Sequence, residues 1–244
     1  LQHRGQESAG VVSNQDGTLH AVRSMGQVRK IFTREALAQL PGEHAIGHVR
    51  YTTAGGSLIK NIQPLWAQYR GRSIAIAHNG NLVNEEVLRD ELEAEGAIFS
   101  SLSDTEVVLQ LMARSRRESF IDQLAEALSR VQGAYSMVLT TDDQVVAVRD
   151  PHGFRPLVLG KLRNPPSGAE TWVVASETSA FDLIEAERVR DVEPGEILVI
   201  SADGLHSSRL PRAPRRFCVF EHVYFSRPDS VLDGTSVYEA RIAM

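Results

Sequence analysis

The chain contains a single cysteine, Cys218, among its 244 residues. A disulfide needs two thiols, so no internal cross-linked framework is available, and one thiol suits a reducing compartment such as the cytoplasm. Long apolar runs are missing as well. No stretch of about 18 apolar residues occurs, so no segment reads as a membrane-spanning helix and no membrane partner is expected. Positive charge is not clustered: the formal net charge is −5 and basic residues are scattered apart from the short Arg209 to Arg216 stretch, which argues against a nucleic-acid partner. Leu1 is not an initiator methionine, the first residues lack the apolar stretch of a secretory signal, and Ser236 to Ile242 reads as a helix just beginning. Both ends therefore read as truncations.

What is present is ordinary for a globular domain. Hydrophobic residues are 42% and charged residues 23%, in a chain long enough to bury a full core. Residues 10–31 read as a meander of short strands around the turn Asn14-Gln15-Asp16-Gly17. Thr33 to Leu40 reads as a helix closed by Pro41-Gly42, and Ala45 to Arg50 as a strand. Ile74 to Ala77 is apolar throughout, as a strand buried on both faces would be. Three helices follow. Asn84 is the expected cap of the first, and Ser103-Asp104-Thr105-Glu106 has the form of a capping box for the second. The third spans Phe120 to Val131. Strands resume at Ala134–Thr141 and Gln144–Arg149, then at Leu157–Gly160, Thr171–Ala175, Arg188–Val192 and Glu196–Ile200. Residues 205–216 read as a connector, and the aromatic-rich Phe217 to Phe225 as a segment that packs again. Strands, a helical block, then strands again imply segregated α and β layers, an α+β class.

Three motifs carry chemistry. In Gly47-His48-Val49-Arg50 a strand ends in an arginine whose fork can hold a carboxylate, although a surface arginine before a loop would look the same. In His78-Asn79-Gly80-Asn81 the Asn-Gly pair is either a tight hairpin turn or an oxyanion hole, the Asn amide and Gly N–H aimed at one developing charge. Asp104 either caps a helix or holds an ammonium group. Together they would bind an amino-acid amide and help hydrolyse it. They do not supply a nucleophile.

Six segments resemble the amidophosphoribosyltransferase family, in the same order and over nearly the whole chain. They begin at Leu1-Gln2-His3-Arg4-Gly5-Gln6-Glu7, Gly47-His48-Val49-Arg50, His78-Asn79-Gly80-Asn81, Ser103-Asp104-Thr105-Glu106, Arg149-Asp150-Pro151-His152-Gly153 and Phe220-Glu221-His222-Val223-Tyr224. Glucosamine-6-phosphate synthases and glutamate synthases share part of this pattern, but Gln6-Glu7-Ser8, Asn81-Leu82-Val83 and Arg227-Pro228-Asp229-Ser230 favour the purine enzymes. Ser179 stands where a cysteine is common in the family. The resemblance implies an N-terminal-nucleophile hydrolase fold, a four-layer αββα sandwich with two antiparallel sheets. It implies a glutamine amidotransferase domain over residues 1–225 and the start of a phosphoribosyltransferase domain over 226–244. Arg50, Thr53, Asn79, Gly80 and Asp104 would line the glutamine pocket, with Asn79 and Gly80 as the oxyanion hole and Arg4 positioning the nucleophile. That nucleophile would be a cysteine upstream of Leu1, with its own α-amine as base. Phosphoribosyl pyrophosphate and Mg2+ would bind the absent domain, and the full-length enzyme would be a homo-oligomer. Cys218 is either a small buried hydrophobe or one ligand of the four-iron, four-sulfur cluster that some members carry.

Overall fold

The computed structural model describes residues 1–51, 58–166 and 168–244. Strands β1 (Ser8–Gln15) and β2 (Thr18–Met25) form a hairpin. Its turn residues Asp16 and Gly17 have φ of 50° and 80°, the left-handed pair that an Asp-Gly turn supplies at low cost. The meander expected as far as residue 31 ends at Met25: α1 (Val28–Ile31) is a single helical turn. So is α2 (Arg34–Leu37), to which the helix expected over Thr33–Leu40 contracts. The Thr33 hydroxyl caps α2 by accepting the Ala36 N–H at 3.3 Å. β3 (His44–Arg50) then runs antiparallel beside β1.

Next come β4 (Leu65–Tyr69), which the sequence pattern did not reveal, and the long β5 (Arg72–Leu82). Three helices follow, α3 (Glu85–Ala94), α4 (Thr105–Arg114) and α5 (Phe120–Arg130). Asn84 does not cap α3. Its amide donates to the Arg130 carbonyl at 2.9 Å and its Oδ1 accepts the Gln132 N–H at 2.8 Å, pinning the helix start to the far end of α5. The chain then forms β6 (Gly133–Thr140), β7 (Gln144–Arg149), β8 (Val158–Leu162), β9 (Trp172–Ala175), the short α6 (Ser179–Asp182), β10 (Ala186–Asp191), β11 (Glu196–Ser201) and β12 (Gly204–Arg209). β12 occupies the start of the stretch read as a connector. It is a solvent-facing edge strand, so it lacks the alternation that marks a half-buried one. A π-helical turn, Glu221–Phe225, leads to a small hairpin, β13 (Val231–Leu232) and β14 (Thr235–Ser236), and to α7 (Val237–Ala243), where a helix was expected. The aromatic segment does not pack as anticipated. Phe217, Phe220 and Tyr224 are exposed, whereas Glu221 and His222 are buried.

The frame is a six-stranded antiparallel sheet in the order β12-β11-β7-β6-β5-β4. Side chains alternate across it. Ile74 and Ile76 face the helices with Met137, Leu139, Val146 and Val148, against Leu111, Met112, Leu124 and Leu128. Ala75 and Ala77 face the other way, toward Val12 and Ile46 of the sheet β2-β1-β3. Ala147 and Leu198 face Leu159 of the sheet β10-β8-β9. Both faces are apolar, so the central strands read as continuous hydrophobic runs, and each fully buried Leu or Ile contributes roughly 1.5–3 kcal/mol. Phe181 of α6 packs on Val158, the opposite face of β8, and so begins an outer layer. Helices outside two β layers give the expected α+β sandwich, with the second β layer built from two three-stranded ladders among the described residues. Among those residues no helix is long and apolar enough to cross a membrane.

Candidate active site

A cleft of about 110 Å³ opens where β3 and β5 end, lined by Arg4, Arg50, Asn79, Gly80 and Asp104. The sandwich thus gathers residues spread over about 100 positions of sequence. Thr53 lies outside the described residues. Cys218 does not line the cleft; it is half-exposed beside the exposed Phe217 and Val219, not buried in a core.

Asn79 and Gly80 lie within β5, paired with Ser136 and Tyr135 of β6, so the pair is not a hairpin turn. Gly80 has a φ of 152°, and a Cβ there would sit 1.9 Å from the Ala134 carbonyl oxygen and 2.7 Å from His78 Nε2. Only glycine fits so close an approach. The Asn79 Nδ2 atom is shielded from solvent and has no hydrogen-bond partner among the described residues. Leaving a buried donor unpaired costs about 1–3 kcal/mol, so such an atom calls for an explanation, and a ligand oxygen is one.

Asp104 precedes α4, but its carboxylate makes no capping bond to the helix. It reaches across to β5, where Oδ2 accepts the Leu82 N–H at 3.0 Å. Oδ1 accepts the Thr105 hydroxyl at 3.2 Å and lies 3.5 Å from His78 Nδ1. Burial alone would raise its pKa. The neighbouring His78 and the hydrogen bonds from His78, Leu82 and Thr105 outweigh burial and bring it down to about 2. Asp104 is therefore a fixed negative charge on the cleft wall. The expected capping box is also not formed. Glu106 instead accepts the N–H groups of Ser100 and Ser101, each at 2.7 Å, and their hydroxyls.

Two histidines were given no role in the sequence reading, although each stands inside a recognised motif. His48 Nε2 donates to the His78 carbonyl at 3.1 Å, and its Nδ1 is shielded without a partner among the described residues. Burial, then the nearby His78, lower its pKa to about 4, so it is neutral at physiological pH. The buried Gln63 accepts the His78 N–H at 2.6 Å and donates to Thr105 at 3.2 Å. Together these bonds hold β5 in place immediately before the Asn79-Gly80 pair. On another side of the cleft, Arg4 is held by two carboxylates, Glu177 at 2.6 Å and Glu221 at 3.0 Å. Gly5, next to it, lies on the end of β3 so closely that a Cβ would be 2.6 Å from the Arg50 carbonyl carbon. The cleft therefore presents an arginine, an ionised aspartate and an unpaired amide donor to one small volume, a set that complements a zwitterionic amino acid bearing a polar carbonyl.

Comparison with known families matches residues 48–183, more than half of the chain, to the glutamine amidotransferase domain. The chain belongs to that family. Among curated relatives of this glutamine amidotransferase domain, amidophosphoribosyltransferase 2, chloroplastic, of Arabidopsis thaliana is 53% identical over 99% of the chain and 42% of its own length. A solved structure described as the allosteric regulatory enzyme of purine biosynthesis superimposes with a TM-score of 0.93 at 44% identity, over 99% of this chain and 51% of that one. Glutamine phosphoribosylpyrophosphate amidotransferase from Bacillus subtilis, solved with ADP and GMP, gives a TM-score of 0.90 at 42% identity, over 98% and 51% of the two chains. The amidotransferase domain thus shares the fold of these enzymes and spans about half the length of the proteins it matches.

Proposed function

We propose that this chain is the glutaminase half of an amidophosphoribosyltransferase. Ammonia released from glutamine here would convert phosphoribosyl pyrophosphate to 5-phosphoribosylamine in the other half, with release of pyrophosphate and glutamate, the opening step of purine biosynthesis. The observation that carries the reading is the shielded, unpaired Nδ2 of Asn79 beside Gly80, in one cleft with Arg50 and Asp104.

Glutamine binds with its α-carboxylate on Arg50 and its α-ammonium on Asp104. Its side-chain carbonyl oxygen points at Asn79 Nδ2 and the Gly80 N–H, and Thr53 belongs to the same pocket by family resemblance. The attacking thiolate comes from a cysteine outside these 244 residues, whose own α-amine takes the thiol proton. As the C–S bond forms, the carbonyl electron pair moves onto oxygen, and the Asn79 and Gly80 donors stabilise that charge. Collapse expels ammonia, which takes its proton from the α-ammonium. Water then cleaves the thioester to glutamate and restores the thiol. By themselves the 244 residues are expected not to turn glutamine over.

The remaining assignments are part of the same proposal. Mg2+ would bind in the transferase half, as the family resemblance implies. Cys218, the one cysteine, could give a four-iron cluster a single thiolate, with the other three supplied from outside this chain. We place the full-length enzyme in the cytoplasm as a homo-oligomer.

The test is Asn79→Ala in the full-length enzyme. Glutamine-dependent kcat should fall on the order of 10²–10³-fold, as for loss of one oxyanion donor, while synthesis from free ammonia persists. Wild-type glutamine-dependent kcat in that variant would refute the reading.

A further inference from the structure

Behind the cleft wall lie two carboxylates that touch none of the atoms glutamine would meet. Glu177 and Glu221 are both completely buried. Glu221 spends both oxygens on Arg4 Nη2, at 3.0 Å each, and accepts Arg155 Nη1 at 2.9 Å through Oε1. Glu177 accepts the other Arg4 nitrogen at 2.6 Å and is itself braced by the Arg227 N–H and the Ser230 hydroxyl, both at 2.9 Å. Arg4 and Arg155 line the cleft; the two glutamates do not. Phe225, from the same π-helical turn as Glu221, also lines the cleft, with the Arg4 and Arg155 guanidinium carbons 5.8 Å and 5.1 Å from its ring centre. Two cations in front are thus balanced by two anions behind. A guanidinium forked between two buried carboxylates has one orientation, because turning it would leave a buried charge unpaired. π-helical turns are uncommon and concentrate at functional sites.

We infer that Glu221 is a positioning residue for the glutaminase reaction, setting the angle at which Arg4 and Arg155 face the reacting end of the cleft, with Glu177 as its counterpart. The inference rests on the function proposed above. Glu221 reaches the chemistry only through the arginines. Its loss therefore affects the geometry of the attack and leaves the groups that grip the glutamine backbone, Arg50 and Asp104, in place.

The test uses the full-length enzyme. Glu221→Gln keeps the shape and removes the charge. The expected result is a glutamine-dependent kcat lower by on the order of 10²-fold, the scale of a small misplacement of reacting groups, with glutamine KM and ammonia-dependent synthesis unchanged. Glu221→Asp, which restores the charge on a shorter stem, should recover part of the rate. Glu196→Gln is the structural control: Glu196 is equally buried and forks Arg190 at 2.7 Å, but neither lines the cleft, so stability should fall without loss of kcat. Should Glu221→Gln not fold, Ser226→Ala removes a hydroxyl that donates to Glu221 at 3.2 Å and accepts Arg4 Nη1 at 3.5 Å, and a several-fold kcat loss at constant KM is expected. Wild-type kcat in the folded Glu221→Gln enzyme, or in Ser226→Ala where that enzyme does not fold, overturns the inference. So does an equal fall in the ammonia-dependent rate. An unmodified enzyme without glutamine-dependent activity would instead overturn the functional reading on which it rests.

Discussion

Asp104 Oδ2 accepts the backbone N–H of Leu82 at 3.0 Å, which ties the start of α4 to β5 two residues beyond Gly80. One carboxylate thus fixes the strand that carries Asn79 and Gly80 and supplies a negative charge to the cleft.

The two roles separate by substitution. Asp104→Asn keeps an acceptor for Leu82 but loses the charge. Charge-assisted hydrogen bonds are worth about 1.5–3 kcal/mol and each 1.4 kcal/mol is about tenfold, so glutamine KM in the full-length enzyme should rise at least about tenfold. Melting temperature should fall as well, because the charge that holds the Asp104 pKa down also stabilises the fold. Arg50→Ala should raise KM similarly, and both variants should retain ammonia-dependent synthesis. Steady-state kinetics with varied glutamine decides the matter; an unchanged KM in both variants removes the substrate assignment.

Gly80→Ala tests the close approach of β5 to β6. The added Cβ would lie 1.9 Å from the Ala134 carbonyl oxygen, a backbone atom that cannot swing aside as a side chain can. The strands must part locally, with an expected stability loss of several kcal/mol, at the upper end of single substitutions. Denaturant unfolding measures it. A loss under about 1 kcal/mol would show that the ladder yields at this point.

His48 predicts an acid-sensitive fold. Its pKa is near 4 in the folded protein against an ordinary value of 6.5. Between those values the unfolded chain binds a proton that the folded chain does not. Stability is therefore full above the upper value and falls as the pH drops toward the lower one, by up to about 3 kcal/mol in all. Asp104 adds a second loss lower down, as the pH falls from 3.8 toward its folded pKa of about 2. His48→Gln keeps an N–H donor for the His78 carbonyl and cannot be protonated in this range. Its unfolding free energy should vary less between about pH 7 and about pH 5 than that of the unaltered protein. Parallel pH dependences would mean that His48 is charged in the fold.

The residues of the cleft were legible in the sequence because they sit in short local motifs. Arg50 closes a strand, Asn79-Gly80 follows an apolar run, and Asp104 opens a helix. The long helices and central strands were legible because their periods of 3.6 and 2 are written in adjacent side chains. The helix ends misled, since Asn84 and Asp104 are good capping residues by type, while their actual partners lie 46 and 22 positions away in sequence. β12 and the exposed aromatic segment misled because the sequence does not say which surfaces the other layers will cover. Whether Asn79-Gly80 makes a hairpin turn was undecidable locally. It was settled by β6, whose ladder continues through both residues. Only the tertiary structure could bring His48 onto His78, or set Glu177 and Glu221 around Arg4 from positions 173 and 217 residues away. Local sequence fixes which groups can bond; the closure of two β layers decides which of them meet, because a buried charge is stable only where its partner arrives.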